Sequence, residues 1–431
     1  MRQSTYDTDN ELMDRAILVS LVTQQVKRGS SDPEHSLEEL VSLAETAGVE
    51  VLSTMVQNKE ARDTKWFIGK GKVEELKVMA DELGATTAIF DQELSGAQVR
   101  NLEEALDLKI IDRTQLILDI FAQRAKTREG IIQVELAQLS YLLPRLSGQG
   151  KNLSRLGGGV GTRGPGETKL ETDRRHIRDR ITDLKRVLDE LVRHRSLHRE
   201  RRRKSGIQQV ALVGYTNAGK STLLRELTNA DVYVEDQLFA TLDPTSRNLE
   251  LPSGNEVVLT DTVGFIQNLP HDLIAAFRAT LEEVLEADLV LHVIDSSSPM
   301  REEQISVVEK ILDELGAAGK PTLMIYNKID LCPGDGSELL PANRPDALVM
   351  SAYVTEDLLR LRETIQDRMT GDTRTFILPA ERGDLIALAY RTGEVISQEV
   401  DEDSLRLTVQ LNKQDYEIHG HKLDAYTEQQ Q

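Results

Sequence analysis

Eight consecutive residues, Gly214-Tyr215-Thr216-Asn217-Ala218-Gly219-Lys220-Ser221, limit what this chain can fold into more than any other feature. They fit the phosphate-loop pattern and stand between the apolar run 209–213 and the helix-like stretch 222–227. A strand that runs into a glycine-rich turn and then a helix offers successive backbone N–H groups and a positive helix end to an anion. The expectation is an α/β nucleotide-binding domain in which Gly214, Asn217, Ala218, Gly219, Lys220, Ser221 and Thr222 hold the phosphates.

Three later motifs choose the base. Asp261-Thr262-Val263-Gly264 follows the strand-like stretch 256–260, so Asp261 can hold the water shell of Mg²⁺ while Gly264 brings its N–H to the γ-phosphate. Asn327-Lys328-Ile329-Asp330 follows a further buried run, 322–326. The Asp330 carboxylate can accept from the ring N–H and the amine of guanine; adenine offers no such pair, and leaving the charge unmatched costs roughly 1.5–3 kcal/mol. Ser351-Ala352, after the run 347–350, closes over the base. Four motifs in this order, each at a strand end, resemble the translation-factor-like class of GTPases across residues 206–372, with GTP and GDP as ligands.

The 431 residues leave room for two to four domains, and 39 % hydrophobic with 29 % charged residues is ordinary globular composition. The first ten residues carry neither a basic nor an apolar leader region, and no stretch approaches 18 uninterrupted apolar residues. A cytoplasmic protein with no membrane insertion is expected. Cys332 is the single cysteine, so no internal disulfide can form. Formal net charge is −20, but residues 141–206 hold 18 Lys or Arg against 8 Asp or Glu. One segment is built for a different partner.

Strand and helix signals alternate over residues 14–112: strands at 16–22, 49–56, 87–90 and 108–111, and helices at 36–47, 72–83 and 96–106. Ser36 with Glu39 three places on reads as the first helix's capping pair. Such alternation implies a small parallel α/β domain, residues 1–112. Gly69-Lys70-Gly71-Lys72 reads either as a phosphate contact or as a plain helix start. Over residues 113–205, Leu118, Phe121, Ala125, Ile132, Leu136, Leu139 and Leu143 recur at helical steps. Leu170, Ile177, Ile181, Leu184, Leu188 and Leu191 do so in turn, as two arms of an antiparallel hairpin. The second arm, too long for a small domain to cover, should project. Residues 206–372 form the GTP-binding domain and 373–431 a small α+β domain.

Between the arms, residues 147–167 contain eight glycines and three basic residues. Gly159-Val160-Gly161-Thr162-Arg163-Gly164 matches a dinucleotide fingerprint, but no strand precedes it in a βαβ unit, which excludes that reading. The loop is either a linker or a backbone-close RNA contact, with Arg155, Gly157, Gly158, Gly159 and Arg163 as the contacting residues. Arg201, Arg202 and Arg203, with Lys204, end the second arm; they cap the helix dipole or meet RNA phosphates.

Gln133-Val134-Glu135-Leu136-Ala137-Gln138-Leu139, the stretch 157–169 and Phe239-Ala240-Thr241-Leu242-Asp243-Pro244-Thr245, behind an α/β domain, resemble the HflX family over residues 14–372. The resemblance implies a GTPase that binds the large ribosomal subunit and its RNA, reaches the peptidyl-transferase centre with the glycine loop, and splits stalled ribosomes under stress. A monomer is expected; a regulatory switch acting on a protein effector and a ribosome-assembly GTPase are the alternatives.

For chemistry, Lys220 is expected to bridge the β- and γ-phosphates and Ser221 to ligate Mg²⁺. Thr241, with Thr245 as runner-up, is the switch residue expected to reach Mg²⁺. Phe265 stands where many GTPases place a water-orienting glutamine and has no polar group to offer, so intrinsic hydrolysis should be slow. Asn217 either supplies an oxygen to an activating K⁺, as in potassium-activated relatives, or serves the tight turn alone.

Overall fold

The computed structural model describes residues 14–23, 33–146, 165–204, 207–228, 237–267, 283–333, 347–401, 404–412, 416 and 420–428. Its first layer is a four-stranded parallel sheet in the order β2-β1-β3-β4, with β1 Arg15–Val22, β2 Glu50–Asn58, β3 Thr87–Phe90 and β4 Lys109–Asp112. Three helices connect the strands: α1 Pro33–Thr46, α2 Lys70–Leu83 and α3 Gly96–Leu106. Successive side chains of a strand point to opposite faces, and β1 is covered on both. Ile17, Val19 and Leu21 pack with Val73, Leu76 and Leu102, whereas Ala16 and Leu18 pack with Leu40, Leu43 and Phe121. That explains why β1 reads as a continuous apolar run.

Two local expectations need correction. Helix α1 starts at Pro33, so Ser36 is inside it; its hydroxyl donates to Asp91 Oδ2 at 2.8 Å and caps nothing. The helical run from residue 113 is two helices, α4 Arg113–Arg124 and α5 Arg128–Arg145. The chain leaves helix at Ala125, and the Thr127 side chain restarts it by accepting from Gly130 N–H. Helix α4 buries Leu116, Ile117, Ile120 and Phe121 against the sheet, so it is a layer of the first domain rather than part of an arm. Its periodicity was helical in both cases; only packing decides which helix an apolar stripe meets.

The hairpin is therefore α5 against α6, Pro165–Lys204, joined through Ile132, Leu136 and Leu184. At 1.5 Å per residue α6 runs about 60 Å and α5 about 27 Å, so much of α6 extends beyond its partner.

The GTPase domain is a six-stranded sheet in the order β10-β9-β8-β5-β7-β6. Its strands are β5 Gln208–Gly214, β6 Thr245–Glu250, β7 Glu256–Asp261, β8 Leu289–Asp295, β9 Thr322–Asn327 and β10 Ala347–Val349. All neighbours are parallel except β6 with β7. Helix α7, Lys220–Thr228, packs Leu223 and Leu224 on Val210 and Leu212. Helix α8, Arg301–Glu314, packs Val308 and Ile311 on the opposite face, with Ala211 and Val213. Helix α9, Thr355–Met369, completes the domain. The core that contains Val213 continues through Phe239 and Phe265 to Phe121 and Leu43, so the first domain and the GTPase domain share one apolar cluster.

The C-terminal unit is an antiparallel sheet ordered β11-β13-β12, from β11 Thr370–Pro379, β12 Gly393–Asp401 and β13 Ser404–Asn412, with helix α10 Gly383–Thr392. Phe376, Leu407, Val409 and Ala389 form its own core. No helix among the described residues is long and apolar enough to cross a membrane.

Candidate functional site

Strand β5, flanked by β8 and β7, delivers the phosphate loop at its carboxyl end. A Cβ on Gly214, whose φ is +154°, would lie 2.2 Å from Val293 O, and a Cβ on Gly219, at φ +96°, would lie 2.4 Å from Asn327 Nδ2. Only glycine permits these approaches. Asn217 takes the left-handed conformation, φ 58°, which asparagine tolerates. Lys220 starts α7 and turns its Nζ back on the loop, donating to Gly214 O at 3.1 Å and Tyr215 O at 2.8 Å. Burial lowers its pKa to about 8 against the opposing pull of Asp261.

Beside the loop, three oxygens converge. Ser221 Oγ and Thr241 Oγ1 donate to Asp261 Oδ2 at 2.6 and 2.9 Å and lie 2.7 Å apart. Asp261 Oδ1 is buried without a hydrogen-bond partner, and burial pushes this carboxyl above the usual carboxylate range. A buried carboxylate with an orphaned oxygen and two hydroxyls is an oxygen-only donor set that fits a hard cation, Mg²⁺ above all. Thr245 instead opens β6, opposite Asp261 in the backbone register. Among the described residues no group of three or more His, Cys, Asp or Glu side chains is placed to hold a metal ion.

The base loop follows β9. Asn327, 1 % exposed, ties the site together: its Nδ2 donates to Ala218 O at 3.0 Å and its Oδ1 accepts from Ala352 N–H at 3.0 Å. Lys328 sits at φ 61°, held through Nζ to Asp295 Oδ2 at 2.8 Å. Asp330 lies in the short 3₁₀ turn Ile329–Leu331 with its side chain exposed, where a base can reach it. Ser351 is fully buried and its N–H donates to Asp357 Oδ2 at 2.8 Å. These contacts bring the phosphate loop, Thr241, Asp261, Asn327 and Ala352 together, and Asp330 stands exposed three residues past Asn327. Asp295 and Asp357 went unnoticed, although Asp295 ends a strand as Asp261 does.

Gly264 crosses the mouth of the loop so closely that a Cβ there would meet Thr216 Cα at 2.8 Å and Lys220 Nζ at 3.2 Å. Phe265 is 1 % exposed, and its backbone pairs with the loop, N–H to Gly214 O at 3.1 Å and O from Thr216 N–H at 2.7 Å. Its ring belongs to the core and orients nothing in the site. Tyr215 was given no role from sequence, yet its phenol donates to Glu39 of α1 and accepts the Gln267 N–H at 2.8 Å. Burial, then the Glu39 carboxylate, push that phenol above its ordinary pKa and keep the proton in place. Glu39 in turn pairs with buried Arg113, which holds Asp91 at 2.9 Å.

Gly69, offered as a phosphate contact, gives its N–H to Gln57 Oε1 at 2.8 Å, and Lys72 pairs with Glu75 at 2.7 Å, as at a plain helix start. Arg155, Gly157, Gly158, Gly159 and Arg163 lie outside the described residues, as do the side chains of Arg201, Arg202 and Arg203 in α6.

Three family descriptions match the chain in succession: GTP-binding GTPase N-terminal over residues 34–122, GTP-binding GTPase Middle Region over 124–202, and 50S ribosome-binding GTPase over 209–328. The GTPase HflX of Caldanaerobacter subterraneus subsp. tengcongensis is 52 % identical over 92 % of this chain and 91 % of its own length. That of Escherichia coli K12 is 43 % identical over 92 % and 93 %. A GTP-binding protein from the hyperthermophilic archaeon Sulfolobus solfataricus, solved with GDP, is similar over 83 % of this chain and 98 % of its own, at 26 % identity and a TM-score of 0.43. With 52 % identity along nearly the whole length and a phosphate loop, hard-cation corner and base loop at the carboxyl ends of one sheet's strands, the chain belongs to the HflX family of GTPases and is a GTP-hydrolysing enzyme.

Proposed function

We propose that this GTPase works in the cytoplasm as a monomer that binds the large ribosomal subunit and splits or remodels stalled ribosomes under stress. The observation that carries the reading is the arm: α6 runs about 60 Å within a segment holding 18 basic against 8 acidic residues in a chain of net charge −20. A switch acting on a protein effector has no use for such a basic lever. In this reading Arg155, Gly157, Gly158, Gly159, Arg163 and Arg201 to Arg203 meet ribosomal RNA.

At the nucleotide, Lys220 bridges the β- and γ-phosphates, the loop N–H groups from Asn217 to Thr222 cradle them, and Gly264 N–H meets the γ-phosphate. Asn327, Lys328 and Asp330 hold guanine, and Ser351 and Ala352 close over it. Ser221, Thr241 and, through water, Asp261 would hold Mg²⁺, which would neutralise phosphate charge. Since Phe265 is buried, the water-orienting group comes from elsewhere, and turnover by the protein alone is slow. K⁺ held by Asn217 is one supplier of the missing charge: hydrolysis should be several-fold faster in K⁺ than in Na⁺, and Asn217→Ala should abolish the difference. Equal rates in the two salts remove potassium from the scheme.

Co-sedimentation with purified large subunits tests the main reading. Binding should be strong with a GTP analogue and weak with GDP. If the arm neutralises four RNA phosphates, a fourfold rise in salt should weaken binding by roughly 50- to 150-fold. Binding indifferent to both nucleotide and salt would sink the proposal.

A further inference from the structure

Residues 237–243 touch the nucleotide site on one side and the root of the helical arm on the other. Thr241 reaches Ser221 and Asp261. Two residues on, Asp243 Oδ2 accepts the backbone N–H groups of Lys126 at 3.0 Å and Thr127 at 2.9 Å, while Oδ1 accepts the Thr127 hydroxyl. These are groups at the amino end of α5, where a helix leaves its N–H groups unpaired and favours a negative charge. The segment is pinned further: Phe239 packs edge-on to Phe121 of α4, centroids 4.7 Å apart, and Arg124 donates to Gln237. Phe239 is itself held at φ 55°, a conformation costly for a bulky side chain, so packing against α4 keeps it there.

We propose that Asp243 is a positioning residue for GTP, clamped by the amino end of α5 so that Thr241 is held at the cation corner. Two residues of chain span at most about 7 Å, so Thr241 cannot leave that corner freely while Asp243 stays docked. The clamp makes nucleotide state and the seating of the arm's root two readings of one equilibrium, and coupling of that kind is reciprocal. Gly130 shows that the dock is shaped for the carboxylate. It lies in the first turn of α5, where alanine would be the better helix former, yet a Cβ there would lie 2.4 Å from Asp243 Oδ1. The inference rests on the proposed role of Thr241 and is independent of any ribosome.

The test uses the full-length protein with Mg²⁺, comparing affinities for a non-hydrolysable GTP analogue and for GDP. Asp243→Ala should lower the preference for the GTP analogue about tenfold, within the usual range of coupling between sites, and leave GDP affinity within a factor of about two. Gly130→Ala, which favours helix but evicts the carboxylate, should do the same. The double variant should lose no more than either single one, because both break one contact. Asp243→Asn, whose amide oxygen still caps a helix, should restore most of the preference. Thr241→Ala separates the two readings. If it loses the preference while Asp243→Ala and Gly130→Ala keep it, the clamp is overturned alone. If Thr241→Ala keeps it, the role of Thr241 falls, and the clamp with it.

Discussion

Asn327 and residues 237–243 border the same phosphate cradle, yet they are supported from different places. Asn327 is fixed within its own domain, by Ala218 O of the phosphate loop and the Ala352 N–H just beyond β10. The segment 237–243 takes its support from outside: Phe239 leans on Phe121, and Asp243 docks on Lys126 and Thr127. In the proposed reading, the part that selects the base is held within its own domain, and the part that senses the third phosphate takes its support from the helical root. A base site has to be rigid to discriminate, whereas a switch has to report to something. A third tie runs alongside, from Tyr215 and the Gln267 N–H through Glu39 to Arg113 and Asp91. Buried ion pairs of this sort add little net stability, but removing one partner leaves the other charge buried and uncompensated.

The comparison breaks if disturbing one side shifts the other. The largest effect is expected at the base. Asp330→Asn should weaken GTP by roughly tenfold to hundredfold, the 1.5–3 kcal/mol of a lost charged hydrogen-bond pair, and turn preference toward xanthosine triphosphate. The GTP-over-GDP preference should remain as in wild type. Competition binding of GTP, GDP and xanthosine triphosphate reads both, and a collapse of that preference would show that the base loop and the switch segment are one unit.

A smaller effect is expected from the other side. Phe121→Ala removes the ring that supports Phe239 and should cost about 3 kcal/mol of stability as a core aromatic truncation. Its GTP-over-GDP preference should drop about fivefold, a typical coupling, with guanine still chosen over xanthine as strongly as before. Thermal unfolding and the same competition assay decide this. Loss of base selectivity would mean that the sheet ends, too, depend on the helical root.

Much of the candidate nucleotide site could be read directly because it is written as short contiguous motifs at strand ends. Gly214, Gly219 and Gly264 stand where a Cβ would meet Val293, Asn327 and Thr216, and no other residue type can take those places. Strand β3 and helix α3 match their expected spans, Thr87–Phe90 and Gly96–Leu106, since each begins and ends on strong signals, Ser95 with Gln98 at the helix start among them. Helix α4 was the element misplaced. Its stripe of Leu116, Ile120 and Phe121 has the same period as an arm helix, and the break at Ala125 carries neither glycine nor proline to announce it.

What the amino-acid order carried by itself was a set of features whose cause lies within a few residues: the phosphate-loop motif, the acidic end of β7, the Asn327-Lys328-Ile329-Asp330 motif and the excess of positive charge on one segment. What only the tertiary structure decided was who holds whom. Asp243 and Thr127 are 116 positions apart, and Tyr215 and Glu39 are 176 apart. A carboxylate in a polar loop looks solvated from its neighbours alone, because its neighbours do not include the helix end that folding brings to it. The energy of such a contact depends on distance and burial, which sequence neighbours do not set, so the link between the nucleotide and the arm exists only once the sheets have packed.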